Sequence, residues 1–247
     1  GSYLEAVEHR ALPEVAGVAL AAGARPRIET VEAPRIAIEA LTLQTPDNRK
    51  TLVRGLFFEL GAHERLLIVG ESGVGKTSLL RAIAGLWRVG SGRVVRPPLS
   101  ELMFLPQRPY MIPGSLRQQL CYPRAHDVTD AQLVSVLQRV HLADLPERVG
   151  GLDTEFRWKD LLSLGEQQKI AFARLLLEQP GWAFLDEATS ALDPVNENLL
   201  YDQLVAARIN VVSVGIRAAL FEYHDVLLEL LGNGEWRLSR PRSSRRA

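Results

Sequence analysis

The stretch GESGVGKT, residues 70–77, follows the short apolar run RLLIVG (65–70) and precedes a segment rich in helix-forming residues. It fits the pattern G-x-x-x-x-G-K-[ST], and a strand before it and a helix after it are the context that this pattern requires. The glycines let backbone N–H groups turn inward around phosphate oxygens, and the N-terminus of the helix adds its positive dipole end. The stretch therefore predicts a phosphate-binding loop at the end of a strand.

Two side chains of this loop are predicted to have different roles in nucleotide binding. Lys76 supplies a positive charge to the β- and γ-phosphates, and the Thr77 hydroxyl is a ligand for Mg²⁺. The predicted nucleotide-binding residues of the loop are Gly70, Ser72, Gly73, Val74, Gly75, Lys76, Thr77 and Ser78.

The rest of the chain alternates between short apolar runs and helical patterns. Strands are predicted at 101–106, 182–186, 210–215 and 225–231, and helices at 76–86, 130–140, 166–178 and 195–207. This alternation predicts an α/β fold with a mostly parallel sheet and helices on its faces. Upstream, residues 35–43 and 51–60 flank the turn-forming TPDNRK and predict an antiparallel hairpin.

The apolar strand WAFLD (182–186) ends in an acidic residue, Asp186, and a second acidic residue, Glu187, follows it. Asp186 is expected to hold Mg²⁺, directly or through water. Glu187 would lie beside the γ-phosphate and polarise the attacking water. A strand that ends in solvated acids is the alternative, and the phosphate loop favours the catalytic interpretation.

The third motif is LSLGEQQ, residues 162–168, at the start of a predicted helix. Ser163 and Glu166 have the spacing of a capping box, which by itself predicts only a well-capped helix. The motif also resembles the LSGGQ signature of ABC ATPases, with Leu164 and Glu166 as variants. That resemblance implies that Ser163, Gly165 and Glu166 contact ATP bound by a second copy, and both interpretations are compatible.

Two further motifs extend the resemblance over about residues 35–238. Gln107, 31 residues after Lys76, resembles the Q-loop glutamine, and SALD (190–193) resembles the D-loop, which packs across the dimer. The resemblance implies a P-loop NTPase with a RecA-like, mostly parallel core, an N-terminal antiparallel β subdomain and an α-helical signature subdomain at about 108–165. It implies ATP and Mg²⁺ as cofactors, Glu187, Gln107 and Lys76 as catalytic residues, and Thr77, Gln107 and Asp186 as the metal site.

The segments 104–123 and 184–193 narrow the resemblance to a branch with the fatty-acyl (D-subfamily) half-transporters and bacterial half-transporters of peptide or cobalamin uptake. This branch implies two partners, the chain's own transmembrane domain and a second nucleotide-binding domain, and a place at the cytoplasmic face of a membrane. GEW (234–236) favours the bacterial inner membrane. Residues 1–34 then comprise a tag scar (Gly1-Ser2), the end of a membrane helix (3–12) and a proline-broken linker.

The chain departs at two positions from the pattern of the family that it resembles. Thr45 occupies the place of the aromatic residue that stacks on adenine, and it cannot stack. Ile216, in SVGIR (213–217), occupies the place of the switch histidine that hydrogen-bonds the γ-phosphate. Slow hydrolysis is expected because an isoleucine cannot position the attacking water. His224 is interpreted as a surface or helix-end histidine rather than as a displaced switch.

Composition limits the alternatives. The 29 basic and 29 acidic residues balance, which argues against nucleic acid as a partner, and the single cysteine cannot build a disulfide framework. A nucleotide-gated regulatory module without useful hydrolysis, a soluble ABC protein that acts on DNA or ribosomes, and a P-loop kinase or GTPase are the competing functions. The basic tail, 239–247, is expected to be disordered, either solvated or in weak contact with anionic lipid.

Overall fold

The computed structural model describes residues 27–47, 49–61, 63–123 and 127–240. Its strands are β1 (Glu29–Glu32), β2 (Ala37–Gln44), β3 (Thr51–Glu59), β4 (Leu66–Gly70), β5 (Gly90–Arg96), β6 (Leu102–Leu105), β7 (Gly114–Ser115), β8 (Glu155–Phe156), β9 (Trp182–Asp186), β10 (Asn210–Val214), β11 (Val226–Gly232) and β12 (Glu235–Ser239). Its α-helices are α1 (Lys76–Ile83), α2 (Leu116–Cys121), α3 (Asp130–Arg139), α4 (Leu145–Arg148), α5 (Trp158–Leu161), α6 (Leu164–Glu178) and α7 (Pro194–Ala206). Short 3₁₀ helices span Leu99–Glu101 and Ala218–Tyr223.

A six-stranded sheet forms the centre, in the order β12-β11-β4-β10-β9-β6. Its neighbouring strands are parallel except for the antiparallel β11–β12 pair. Successive side chains of a strand point to opposite faces, so Leu67 belongs to the core beneath the helical part, whereas Leu66 and Ile68 belong to the core beneath α1. Burial on both faces explains why the strands are nearly continuous apolar runs. The predicted α/β P-loop fold is confirmed.

A second sheet of four strands, in the order β1-β5-β2-β3, covers α1 from the other side. The β2–β3 hairpin is antiparallel as predicted, but β5 was not predicted from the sequence. Its glycines hide the strand pattern, because Gly90 has a φ of 142° and a Cβ there would lie 2.0 Å from the carbonyl oxygen of Thr42. The strand thus depends on a backbone approach that only glycine allows.

Strand β1 is a correction to the domain division, because it lies within the expected linker. It pairs in parallel with β5, and all four of its residues are exposed. An exposed edge strand carries no apolar alternation, so periodicity could not find it.

The described part of the segment between β6 and α6 carries the helices α2 to α5, between residues 116 and 161, and the short antiparallel pair β7–β8. At the other end, β12 reaches Ser239, and Arg240 forms an ion pair of 3.1 Å with Glu64, so the start of the expected disordered tail is ordered. Residues 1–2 and 3–12, which were expected to be a tag scar and the end of a membrane helix, and residues 241–247 of the expected tail lie outside the described residues. No helix in the described part is long and apolar enough to cross a membrane.

Candidate functional site

The residues that were predicted to bind nucleotide and metal lie where three neighbouring parallel strands end. Strands β4, β10 and β9 end at Gly70, Val214 and Asp186. Val214 pairs with Asp186 on one side and with Ile68 on the other. The carboxyl edge of a parallel sheet is where α/β folds bind ligands, and here it carries the phosphate loop and both acids.

The phosphate loop bends through glycines in left-handed conformations. Gly70, Gly73 and Gly75 have φ values of 145°, 79° and 108°. A Cβ at Gly73 would meet no atom within 4 Å, so the loop leaves open space beside its backbone. Gly75 is the N-cap of α1, and no side chain caps this end of the helix. The N–H groups in the first turn of α1 can therefore bind an anion. The geometry fits phosphate oxygens.

The side chains of the loop take different positions. Lys76 is buried and its Nζ donates to the carbonyl oxygens of Gly70 and Glu71, both at 2.8 Å, which holds the ammonium over the loop. Ser72 is exposed, whereas Ser78 and Val74 are half-buried and Val74 packs against the core beneath α1.

Thr77 and Asp186 meet at the foot of the loop. The Thr77 hydroxyl donates to Asp186 Oδ1 at 2.8 Å. Asp186 is only 6% exposed, and this burial raises its pKa, although Thr77, Arg81 and Lys76 oppose the rise. A buried carboxylate beside a hydroxyl is a donor set of hard oxygens, which fits Mg²⁺. The alternative of solvated acids is wrong for Asp186.

Glu187, which directly follows β9, and Gln107, in the loop after β6, are also brought together. Gln107 Nε2 donates to Glu187 Oε2 at 3.0 Å. The backbone N–H of Glu187 donates to Val214 O at 3.1 Å, and its φ is 50°. A left-handed glutamate is uncommon and requires restraint from its surroundings.

The helix α6 begins at the signature motif with a complete capping box. Ser163 Oγ accepts from Glu166 N at 3.3 Å, and Glu166 Oε2 accepts from Ser163 N at 2.9 Å. Although burial raises the pKa of Glu166, hydrogen bonds from Arg148, at 2.7 Å, and Ser163 outweigh it and lower the pKa. Gly165 packs closely, since a Cβ there would lie 3.1 Å from Ala191 O. The sequence interpretation of a capped helix is confirmed.

Ile216 follows β10, and its side chain is 76% exposed. It lines a pocket of about 100 Å³ together with Glu187, Thr189 and Glu197. The residue predicted to hold the switch position thus lines the same pocket as the predicted catalytic glutamate, and its side chain offers only methyl and methylene groups.

His224 stands at the end of the 3₁₀ helix Ala218–Tyr223, so the helix-end interpretation is confirmed, but it does not lie on the surface, so the surface interpretation is wrong. It is 4% exposed; Nδ1 lies 2.7 Å from Leu220 O and Nε2 lies 2.9 Å from Ser213 Oγ. A carbonyl oxygen only accepts, so Nδ1 donates to Leu220. Burial lowers the pKa of His224 to about 4, so the ring is neutral and Nε2 accepts from Ser213. The error arose because a lone histidine before a strand gives no periodic signal.

Thr45 closes its own turn. Its hydroxyl donates to Asp47 Oδ1 at 2.5 Å and accepts from Lys50 N at 3.1 Å. The hydroxyl therefore stabilises the connection between β2 and β3.

Two buried polar residues, Gln168 and Arg174, are not predicted from the sequence. Gln168 donates to Gln107 O at 2.9 Å and accepts from Ala191 N at 3.1 Å, so it ties α6 to both loops of the site. Arg174 donates to three acceptors, at Gln119 and Tyr110, between 2.7 and 2.8 Å. Their signal is a polar side chain on the apolar face of a helix, which the 3.6 period reveals only after the buried face is known.

Comparison with known proteins agrees with this geometry. The family model described as ABC transporter matches residues 53–190. An uncharacterized ABC transporter ATP-binding protein of Synechocystis sp. is 50% identical over 205 residues, which cover 83% of this chain and 31% of that protein. The chloroplastic ABC transporter D family member 2 of Arabidopsis thaliana is 42% identical over 242 residues, covering 79% and 34%. The human lysosomal cobalamin transporter is 37% identical over 216 residues, covering 82% and 35%.

A solved structure, that of a bacterial Atm1-family ABC exporter with ATP bound, matches with a TM-score of 0.71 and 25% identity, covering 84% of this chain and 41% of the other. The chain spans about a third of the length of the curated relatives it matches. ATP-binding domains of this family are ATPases. The phosphate loop and the paired acids agree with these matches. The chain belongs to the ABC transporter family as an ATP-binding domain, with relatives in subfamily D and among bacterial ABC ATP-binding proteins.

Proposed function

We propose that the chain binds and hydrolyses MgATP at residues 70–78 as the motor domain of a membrane half-transporter. The observation that carries the proposal is the convergence of a glycine-lined loop, a buried carboxylate and a glutamate–glutamine pair at one sheet edge. Lys76 and the backbone N–H groups of the loop neutralise the phosphates, and ATP is the substrate. Phosphoryl transfer needs positioning and charge stabilisation more than covalent chemistry, which is what these groups supply.

Thr77, Asp186 and Gln107 are the residues that would hold Mg²⁺, which supplies charge neutralisation of the phosphate oxygens when bound. Glu187 is the group that orients and polarises the attacking water. Gln107, at 3.0 Å, fixes the carboxylate of Glu187, so the two act as one unit.

A second copy of the domain completes the site in this proposal. Ser163, Gly165 and Glu166 stand at the N-terminus of α6, where the helix dipole and the first-turn N–H groups outside the capping box favour an anion. The capping box keeps Ser163 at the helix end, and the salt bridge from Arg148 offsets the negative charge of Glu166. These residues would contact the γ-phosphate of ATP held by the partner copy.

Hydrolysis is slow in this proposal because Ile216 provides no hydrogen bond beside Glu187. Loss of one positioned polar group in such a site lowers the rate by about 10²-fold. The test is steady-state ATP turnover of the wild-type chain and of Ile216→His, with Ile216→Leu as the apolar control. We expect a large rise in kcat for Ile216→His and none for Ile216→Leu; equal rates for all three would refute the assignment of this position.

A nucleotide-gated module is the second candidate function, and the exposed isoleucine is the observation that favours it. In that case ATP-driven pairing of two copies performs the work. Single-turnover hydrolysis with enzyme in excess separates the two: one ATP cleaved per site within minutes supports the motor, and intact ATP in stable dimers supports the module.

The whole protein is proposed to carry a transmembrane domain and to place this domain at the cytoplasmic face of a membrane, the inner membrane in a bacterium. The half-transporter branch supports this proposal, because relatives about three times longer match only over this domain. Expression with its adjoining gene segment and fractionation of membranes would test it.

A further inference from the structure

Residues 190–193, which we call the D-loop segment, are held through their backbone by a side chain from the loop after β10. Arg217 Nη1 donates to Leu192 O at 2.7 Å, and Nη2 donates to Ser190 O at 3.1 Å. The same Nη1 lies 3.3 Å from Glu197 Oε2. One planar guanidinium thus joins two carbonyl oxygens of the segment to a carboxylate of α7, a fork that a lysine ammonium cannot reproduce.

The carboxylate of Glu197 keeps the guanidinium in place. It is 1% exposed, and its other oxygen accepts from Thr189 Oγ1 at 2.5 Å. A buried carboxylate is stable only when it is paired and hydrogen-bonded. Arg217 is therefore both the counter-ion of Glu197 and the tether of the D-loop segment.

The tether acts on the backbone of Glu187. The Ser190 N–H donates to Glu187 O at 3.0 Å, and the Glu187 N–H donates to Val214 O at 3.1 Å. Glu187 therefore sits between strand β10 on one side and the Arg217-bound Ser190 on the other. Its left-handed φ of 50° needs restraint from both sides, since this region is sparsely populated for glutamate.

We propose that Arg217 is a positioning residue, which holds the D-loop segment so that the Glu187 carboxylate keeps the place from which it acts on water. This inference rests on the proposed function. It adds a link between the switch loop, which carries Ile216 and Arg217, and the D-loop segment. The resemblance drawn from the sequence gave Arg217 no role.

The experiment compares wild type, Arg217→Lys and Arg217→Ala/Glu197→Gln in ATP turnover and thermal unfolding. Arg217→Lys retains a charge for Glu197 but loses the fork, and the double variant removes the guanidinium together with the buried charge that it balances. We expect both variants to keep a thermal midpoint near that of wild type and a KM for ATP near its value. We expect kcat to fall about tenfold, because the displaced group acts in the transition state.

Amide hydrogen exchange gives a readout that does not depend on activity. We expect faster exchange at Ser190 and Leu192 in both variants, because their carbonyl tethers are lost. Arg93→Ala is the matched control: Arg93 also bridges two carboxylates, at 3.1 and 3.2 Å, but on β5. It should leave kcat and these amides unchanged.

The outcomes separate the inference from the proposed function. Wild-type kcat, or unchanged exchange at Ser190 and Leu192, in either Arg217 variant overturns the positioning role. A wild-type chain that neither binds nor hydrolyses ATP overturns the proposed function, and the exchange rates alone then decide whether Arg217 orders the D-loop segment.

Discussion

The buried imidazole of His224 makes the stability of this domain depend on pH in a way that can be calculated. Its folded pKa is about 4, against an ordinary 6.5, and burial is the main cause. Its surroundings explain the shift: the Tyr201 ring packs against it at 5.6 Å, and Arg65 disfavours a second positive charge, although Leu220 O and Asp225 favour it. The folded state therefore resists protonation while the unfolded state accepts a proton normally.

The sign follows from proton linkage. Between pH 6.5 and pH 4 the unfolded chain binds a proton at His224 that the folded chain does not, so the free energy of unfolding falls as the pH falls. The difference between a pKa of about 4 in the folded state and the ordinary 6.5 corresponds to about 3 kcal/mol in total. Between pH 7 and pH 4.5 the loss is about 2 kcal/mol. The contribution is fully present above the unfolded pKa.

The assay is urea unfolding of wild type and His224→Asn at several pH values from 7 to 4.5. The asparagine amide can donate to Leu220 O as Nδ1 does, but it does not titrate. We expect the variant to be less stable at pH 7, because the contact with Ser213 is lost, and to lose about 2 kcal/mol less on acidification. His141→Gln, at an exposed position, controls for removal of an imidazole. Parallel pH profiles for wild type and His224→Asn would refute the reasoning.

Two other substitutions have defined outcomes. Glu187→Gln should lower kcat by about 10²–10⁴-fold while ATP affinity, measured by fluorescent nucleotide binding, stays near that of wild type, because a base is lost and the phosphate loop is intact; a rate within a few-fold of wild type would contradict the assignment. Arg174→Met should lower stability by about 3 kcal/mol, since two buried acceptors of Gln119 and the half-buried carbonyl oxygen of Tyr110 lose their donor, and thermal unfolding should show a midpoint roughly 10 °C lower; an unchanged midpoint would contradict this stabilising role.

The sequence predicts the central sheet well because its strands are buried on both faces. Runs such as 182–186 are apolar throughout, and the residues that follow them carry the chemistry at the common carboxyl edge. Motif spacing then orders these residues along the chain. Only the structure shows that Gln107 lies 3.0 Å from Glu187, since the two residues follow different strands and lie 80 positions apart in the chain.

The features that the sequence does not predict depend on contacts that leave no periodic hydrophobic pattern along the chain. The edge strand β1 is exposed throughout, and β5 begins with glycines at positive φ. Arg217 and Glu197 lie 20 residues apart, and their pairing depends on how α7 packs beside β10. No local pattern specifies such a pair, because a charged residue before a short helix is most often solvated.

The contacts of His224 and the exposure of Ile216 together decide how a histidine introduced at position 216 can be interpreted. His224 cannot serve as the switch histidine that the resemblance places at position 216, because both of its ring nitrogens are engaged, one with Leu220 O and the other with Ser213 Oγ. That second contact fixes the strand that ends one residue later at Val214, whose carbonyl holds Glu187. Ile216 is 76% exposed, so exchanging its side chain disturbs no core packing. A change in hydrolysis on introducing histidine there would therefore report chemistry beside Glu187 and not a repaired fold.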